Sequence, residues 1–234
     1  MTTPPSRRAL VVRGGWDGHE PVQTTDHIAG RLETNGYELV ISDDTAPYAD
    51  AALMADIDLV VHCITGGEIT ADEMTGLTDA VAAGTGLAGW HGGITGSFPG
   101  NTTFMHLVGG VFAAHPAGPS TPDDNGPPSV FVRHRVTFTE AGHDHPATRG
   151  LEDFELVSEN YWLLTDDYVD VLATTTQPTR PDTPWHRPVT SPAVWVRHWG
   201  EGRIFVATPG HDLATVTRPE VTQLIERGLA WASR

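Results

Sequence analysis

The sequence predicts an α/β fold: a doubly wound, mostly parallel sheet flanked by helices, with an added antiparallel hairpin. Short, largely apolar runs at residues 9–12, 37–41, 59–64 and 87–90 alternate with stretches of helical periodicity. The run 59–64 is apolar throughout except for His62, as expected of a strand covered on both faces. Near the C-terminus, Gly200-Glu201-Gly202 separates two further apolar runs and reads as the turn of a hairpin. The 234 residues suffice for one large core, and no linker or internal repeat divides them, so a single domain over 1–234 is expected.

Taken in order, residues 9–12 form the first strand, and Gly14-Gly15 opens a loop carrying Trp16, Asp17, His19 and Glu20. Ile28 and Leu32 lie at helical spacing in 22–35, and Asn35-Gly36 supplies the stop. Strand two covers 37–41, followed by a polar loop at 43–50 and a short helix at 53–56. After strand three, Thr70 with Glu73 three residues on gives the signature of a capping box for a helix running through Ala83. Strand four, 87–90, follows. Residues 118–128, rich in Pro, Asp and Gly, read as a surface loop, and so does the proline-bearing stretch 177–192. Residues 130–138, 169–175 and 193–196 read as strands. The closing helix, 219–231, carries Val221, Leu224, Ile225 and Leu229 on one face.

Composition excludes several kinds of chemistry. All 14 basic residues are arginine, so no side chain can form a Schiff base and no P-loop lysine exists. The net charge of −16, without a basic cluster, argues against nucleic acid or an anionic membrane as partner. No apolar run approaches a membrane span or a signal-peptide core, which predicts a soluble, cytoplasmic protein. Cys63 is the sole cysteine and sits in an apolar run, as an inert buried thiol would. Homo-oligomerisation is left open.

The sharpest local signal is Gly89-Trp90-His91-Gly92-Gly93. This G-x-H-x-G has the spacing of a nucleophile elbow, in which glycines let one side chain stand exposed where a strand ends. The exposed residue is His91, a metal ligand or proton shuttle by chemistry rather than an acyl nucleophile. The alternative is a strand-end histidine that is merely hydrogen-bonded. Twelve histidines are present, and placement distinguishes them. His19, His91 and His211 each follow a predicted strand, where open α/β sheets bind their ligands. Three imidazoles, with or without a carboxylate, make a competent shell for zinc or another divalent metal; the alternative is that they bind substrate hydroxyls. Asp17 and Asp212 stand beside two of them as candidate orienting groups. His143-Asp144-His145 reads as a solvated turn, although H-x-H spacing can chelate. Glu159, next to Tyr161 and Trp162, suits either a sugar pocket or an ordinary core segment.

Several stretches together resemble the ThuA-like, or trehalose-utilisation, family. They are Gly14-Gly15 with His19, then 86–93, 107–116, 145–151, 159–161 and 202–212, in that order, with a similar closing helix at 227–231. The resemblance implies a class I glutamine amidotransferase-like fold whose elbow cysteine is replaced by His91, and hence no amidotransferase activity. It implies a role in carbohydrate catabolism, acting on a sugar or keto-sugar derivative. On this reading His91 and Glu159 are catalytic, and His19, His91 and His211 are the metal positions. Trp16, His19, Trp90, Gly92, Gly93, His115, Tyr161 and Asp212 are expected to line the substrate pocket. The alternative function is a non-catalytic sugar-binding or regulatory module on the same scaffold.

Overall fold

The structure is a computed structural model and describes residues 7–116, 118, 129–181 and 183–234. Among the described residues nine strands form one sheet, which in spatial order cover 37–42, 7–15, 59–65, 86–90, 202–207, 189–199, 170–177, 131–138 and 154–159. The first half matches the expected alternation. β1 (Arg7–Gly15) leads through a 3₁₀ turn (Asp17–His19) into α1 (Pro21–Thr34) and β2 (Tyr37–Ser42). α2 (Ala51–Asp56), β3 (Leu59–Thr65), α3 (Ala71–Ala82) and β4 (Gly86–Trp90) follow. β1, β2, β3 and β4 are parallel, and the much later β11 (Gly202–Ala207) joins β4 in parallel.

Period-two alternation sends the two faces of each strand into separate cores. Ala9 and Val11 face α1 and the C-terminal helix with Ile28, Leu32, Leu224 and Leu229, whereas Leu10 and Val12 face α2 and α3 with Met54, Leu77 and Val81. The capping box of α3 is complete: Glu73 N–H donates to Thr70 Oγ1 at 3.3 Å, and Thr70 N–H donates to Glu73 Oε2 at 2.8 Å.

After β4 come α4 (Gly92–Thr95) and α5 (Thr102–Val108), neither of them anticipated. β5 (Gly110–Ala114), β6 (Phe131–Phe138), α6 (Glu140–Asp144), β7 (Phe154–Glu159), β8 (Trp162–Thr165), β9 (Asp170–Gln177) and β10 (Val189–Trp199) precede β11. α7 (Leu213–Val216) and α8 (Pro219–Ala232) close the chain. β10 and β11 make the predicted hairpin. The antiparallel part is larger than that hairpin, because β9, β6 and β7 extend the sheet beyond β10 while β5 pairs with β8 separately. The stretch 177–192 is not loop throughout: β9 runs to Gln177 and β10 begins at Val189, since cross-strand bonds outweigh the turn-forming prolines. Of the expected loop at 118–128, only Gly118 lies among the described residues, and it pairs with Ser129. No described helix is long and apolar enough to cross a membrane.

Candidate functional site

Three histidines leave the carboxyl ends of three parallel strands: His19 after β1, His91 after β4 and His211 after β11. Parallel register places these ends side by side, and the structure brings the three rings together, with centroids 4.7–5.2 Å apart. Glu159, the last residue of antiparallel β7, reaches in from the far part of the sheet. Each of the four residues offers one donor atom, and these atoms lie within 4.8 Å of one another.

The elbow geometry explains how His91 is presented. Its backbone adopts φ 52°, ψ −145°, a region that costs an ordinary residue about 1–3 kcal/mol, and the surrounding packing holds it there. A Cβ on Gly89 would come within 2.3 Å of the His62 carbonyl, and one on Gly93 within 2.9 Å of Cys63 Cα, so both flanking glycines are required for close approach. A Cβ on Gly92 would lie 2.4 Å from the His19 ring, so glycine there admits that ring.

Hydrogen bonds set the tautomer of His91. Its Nδ1–H donates to the Thr208 carbonyl at 2.7 Å, which leaves Nε2 as the lone-pair atom of a neutral ring. Burial lowers its pKa to about 4, against the opposing pull of Glu159, so the ring is neutral near pH 7. Yet Nε2 lies 3.1 Å from Glu159 Oε2, itself an acceptor. Burial alone would raise the Glu159 carboxyl, but the imidazoles of His115, His19, His211 and His91 around it outweigh that and hold the group far below the usual carboxylate range. A lone pair and a carboxylate facing each other at this distance call for a cation or proton between them. His211 Nδ1 adds a third corner, 3.2 Å from Glu159 Oε2 and 3.3 Å from His91 Nε2. Those separations match the edges, about 3.3 Å, of a tetrahedron with metal–ligand bonds of about 2.0–2.1 Å. His19 Nε2 stands further out, 3.9 Å from Glu159 Oε2, with its Nδ1 held by the Thr65 hydroxyl at 2.8 Å. The donor set suits a divalent ion of the zinc type, and two of the three imidazoles have their second nitrogen oriented by a protein oxygen, as metal-bound histidines require.

The remaining expected residues fall into groups. His115 Nε2 lies 3.0 Å from Glu159 Oε2, and its side chain is 29% exposed, so it touches both cluster and solvent. The Tyr161 hydroxyl oxygen lies 2.6 Å from His91 Nε2, and its ring stacks on the imidazole at 4.3 Å. Burial and the Glu159 charge push the phenol pKa well above its usual value, keeping it protonated. Trp16 stands 56% exposed at the rim, 4.6 Å from the His19 ring. Trp90, 3% exposed, belongs to the core with Cys63, Ala88 and Phe205 and also lines a small cavity with His19, His91 and Gly93. Asp212 caps α7, accepting from Thr215 N–H at 2.8 Å. The groups seen to orient imidazoles are therefore Thr208 and Thr65 rather than Asp17 and Asp212. His145 accepts from Ala147 N–H through Nδ1 and meets Trp231 edge-on rather than joining the cluster. Burial pushes the Cys63 thiol pKa up, so it stays protonated.

Sequence reasoning missed Phe131 and Glu20. Phe131, 38% exposed, packs edge-on against His211 at 4.9 Å; an aromatic residue on the outward face of alternating strand β6 was its only signal. The Glu20 carboxylate accepts from Leu213 N–H at 2.8 Å, tying the His19 loop to the His211 loop.

Among solved structures, the chain is similar to a ThuA-like protein of Bacteroides uniformis ATCC 8492, with TM-score 0.70, 17% identity, and 99% of this chain and 94% of that one covered. It is also similar to a ThuA-like protein of Parabacteroides merdae ATCC 43184, with TM-score 0.71, 18% identity and coverage of 97% and 90%. A cytoplasmic protein of Salmonella typhimurium LT2 gives TM-score 0.63 at 14% identity, covering 97% of this chain and 100% of that one. At such identities these likenesses speak to fold. No curated protein sequence matches the chain. The ThuA family profile, described as trehalose utilisation, matches residues 8–232, and the chain therefore belongs to the ThuA family, with a carbohydrate-related role.

Proposed function

We propose that this protein is an enzyme acting on a sugar or keto-sugar derivative, with His19, His91, His211 and Glu159 holding a divalent metal ion. The observation that carries the reading is the unprotonated Nε2 of His91 facing the ionised Glu159 across 3.1 Å, with His211 Nδ1 beside both. A bound ion supplies Lewis-acid polarisation of a carbonyl or glycosidic oxygen. The chain's own residues do the rest. His115, held through Nε2 by Glu159 and open to solvent, carries a proton between bulk water and the substrate. This moves the expected acid–base work from His91 to the His115–Glu159 pair. Tyr161 sets its protonated hydroxyl at the same centre, within reach of a substrate oxygen, and the exposed face of Trp16 offers a stacking surface for a pyranose ring. Amidotransferase chemistry does not suit this arrangement, since the elbow presents an imidazole and the sole thiol is buried and protonated.

Metal analysis of the protein purified without chelator tests the reading, together with turnover assays on sugars and 3-keto sugars. The expected result is about one divalent ion per chain, lost in His91→Ala and Glu159→Gln while both variants remain folded. Metal-free protein whose sugar turnover survives His91→Ala would overturn it. Sugar binding with no turnover, unaffected by metal, would instead support the binding-module alternative.

A further inference from the structure

A separate cavity is lined by residues next in the chain to His115 and Glu159. This cavity of about 100 Å³ is lined in part by Pro116, His134, Asn160, Thr176 and Gln177. Pro116 is bonded to His115 and Asn160 to Glu159, so one residue step, about 3.8 Å between Cα atoms, separates its wall from the proposed site at two places. Three polar side chains of that wall are deeply buried: His134 is 9% exposed, and Asn160 and Gln177 are each 3% exposed.

Their hydrogen bonding is incomplete. Gln177 Nε2 has no partner, and native proteins seldom bury an amide donor without a reason. Asn160 Oδ1 is already taken by the Thr175 hydroxyl at 2.9 Å. His134 donates its Nδ1–H to the Val132 carbonyl at 3.0 Å, which leaves Nε2 an acceptor on a ring that burial keeps neutral. The wall thus presents an unspent donor and an unspent acceptor, both of which sugar hydroxyls can satisfy. Among the described residues its lining holds two arginines, Arg133 and Arg180, and no carboxylate. Its volume is below the range of about 300–1,000 Å³ for whole-ligand pockets and admits only one edge of a ring or a hydroxymethyl group.

We infer that this cavity is a hydroxyl-binding subsite, taking the outer hydroxyl edge of a carbohydrate whose reacting end lies at the histidine cluster. The inference rests on the reading of that cluster as a carbohydrate site. Gln177→Met keeps the side chain's length and removes the donor, and His134→Phe removes the acceptor while keeping a ring. Calorimetric titration with trehalose and with glucose, before and after chelator treatment, measures the effect. Each variant is expected to bind sugar about tenfold or more weakly. The sugar-free melting temperature of Gln177→Met should be unchanged or higher, because an unpaired buried donor has gone. Equal affinity in wild type and a folded variant would overturn the subsite, as would no binding of either sugar, or a sugar-soaked crystal with only water in the cavity. Gln177-dependent binding by metal-free protein upholds the subsite even if the cluster holds no ion. Turnover with Gln177-independent affinity rejects the subsite alone.

Discussion

Glu20 illustrates how much a single residue does here. It sits at φ 46°, in the left-handed region, and its carboxylate bridges to Leu213 N–H, so one side chain registers two histidine-bearing loops. Glu20→Ala loses the bond and keeps the strain, whereas Glu20→Gly loses the bond and relieves it. Chemical denaturation should therefore find the glycine variant about 1 kcal/mol more stable than the alanine variant. Both should bind metal more weakly than wild type, and unchanged metal affinity would show that the bridge does not position the histidines. Cys63 offers the opposite case. Its thiol is buried and protonated against the Gly93 turn, so Cys63→Ala should leave turnover within about twofold and cost about 1 kcal/mol of stability. A large loss of turnover in a folded variant would revive a thiol mechanism.

Within β3, His62 organises a directional hydrogen-bond chain. The Tyr48 hydroxyl donates to Nδ1 at 2.7 Å, Nε2–H donates to Ser97 Oγ at 3.1 Å, and Ser97 donates to the Gly93 carbonyl at 3.0 Å. The chain links the 3₁₀ turn Ala46–Ala49 before α2, strand β3 and the turn that follows His91. Burial lowers the His62 pKa to about 3 from 6.5, so its native form is neutral. A depressed folded value means that the stabilising contribution is full above pH 6.5 and is lost as pH falls toward 3. The loss from this one group is about 1.4 kcal/mol per pH unit. Denaturation measured between pH 7 and pH 4 should therefore show a shallower acid decline in His62→Gln than in wild type. Parallel curves would rule out His62 as a source of acid sensitivity. On α3, Thr70→Ala removes half of the capping box and should cost about 1 kcal/mol, read as a lower melting temperature.

At the scale of the whole molecule, sheet order assembles the site. The chain runs outward from β1 to β2, returns to β3 on the other side, and brings β11 back beside β4 only after the antiparallel excursion. The histidine-bearing loops 19, 91 and 211 thus converge from positions distant in sequence, and any ion they share cross-links the sheet. Binding to the native state alone stabilises by about 2.7 kcal/mol at a free concentration of one hundred times the dissociation constant. Zinc added to chelator-treated protein should raise the melting temperature, and the rise should vanish in His211→Ala. An equal rise in that variant would place the ion elsewhere.

The parallel half of the fold was legible in sequence because its strands are locally encoded: short apolar runs, glycine stops and one capping box each declare themselves within a few residues. The elbow histidine was legible for the same reason, since Gly89 and Gly93 flank it. The antiparallel extension was read only in part, because β7 and β8 are short and half-exposed and take their identity from distant partners. Glu159, Phe131 and Glu20 show the same limit. A carboxylate becomes part of a histidine cluster, and a rim aromatic meets an imidazole, only when strands remote in sequence are paired in register. Local sequence therefore determined which side chains were available at the strand ends, and tertiary structure alone decided which of them meet, because hydrogen-bond and metal-ligand distances are set by long-range strand pairing.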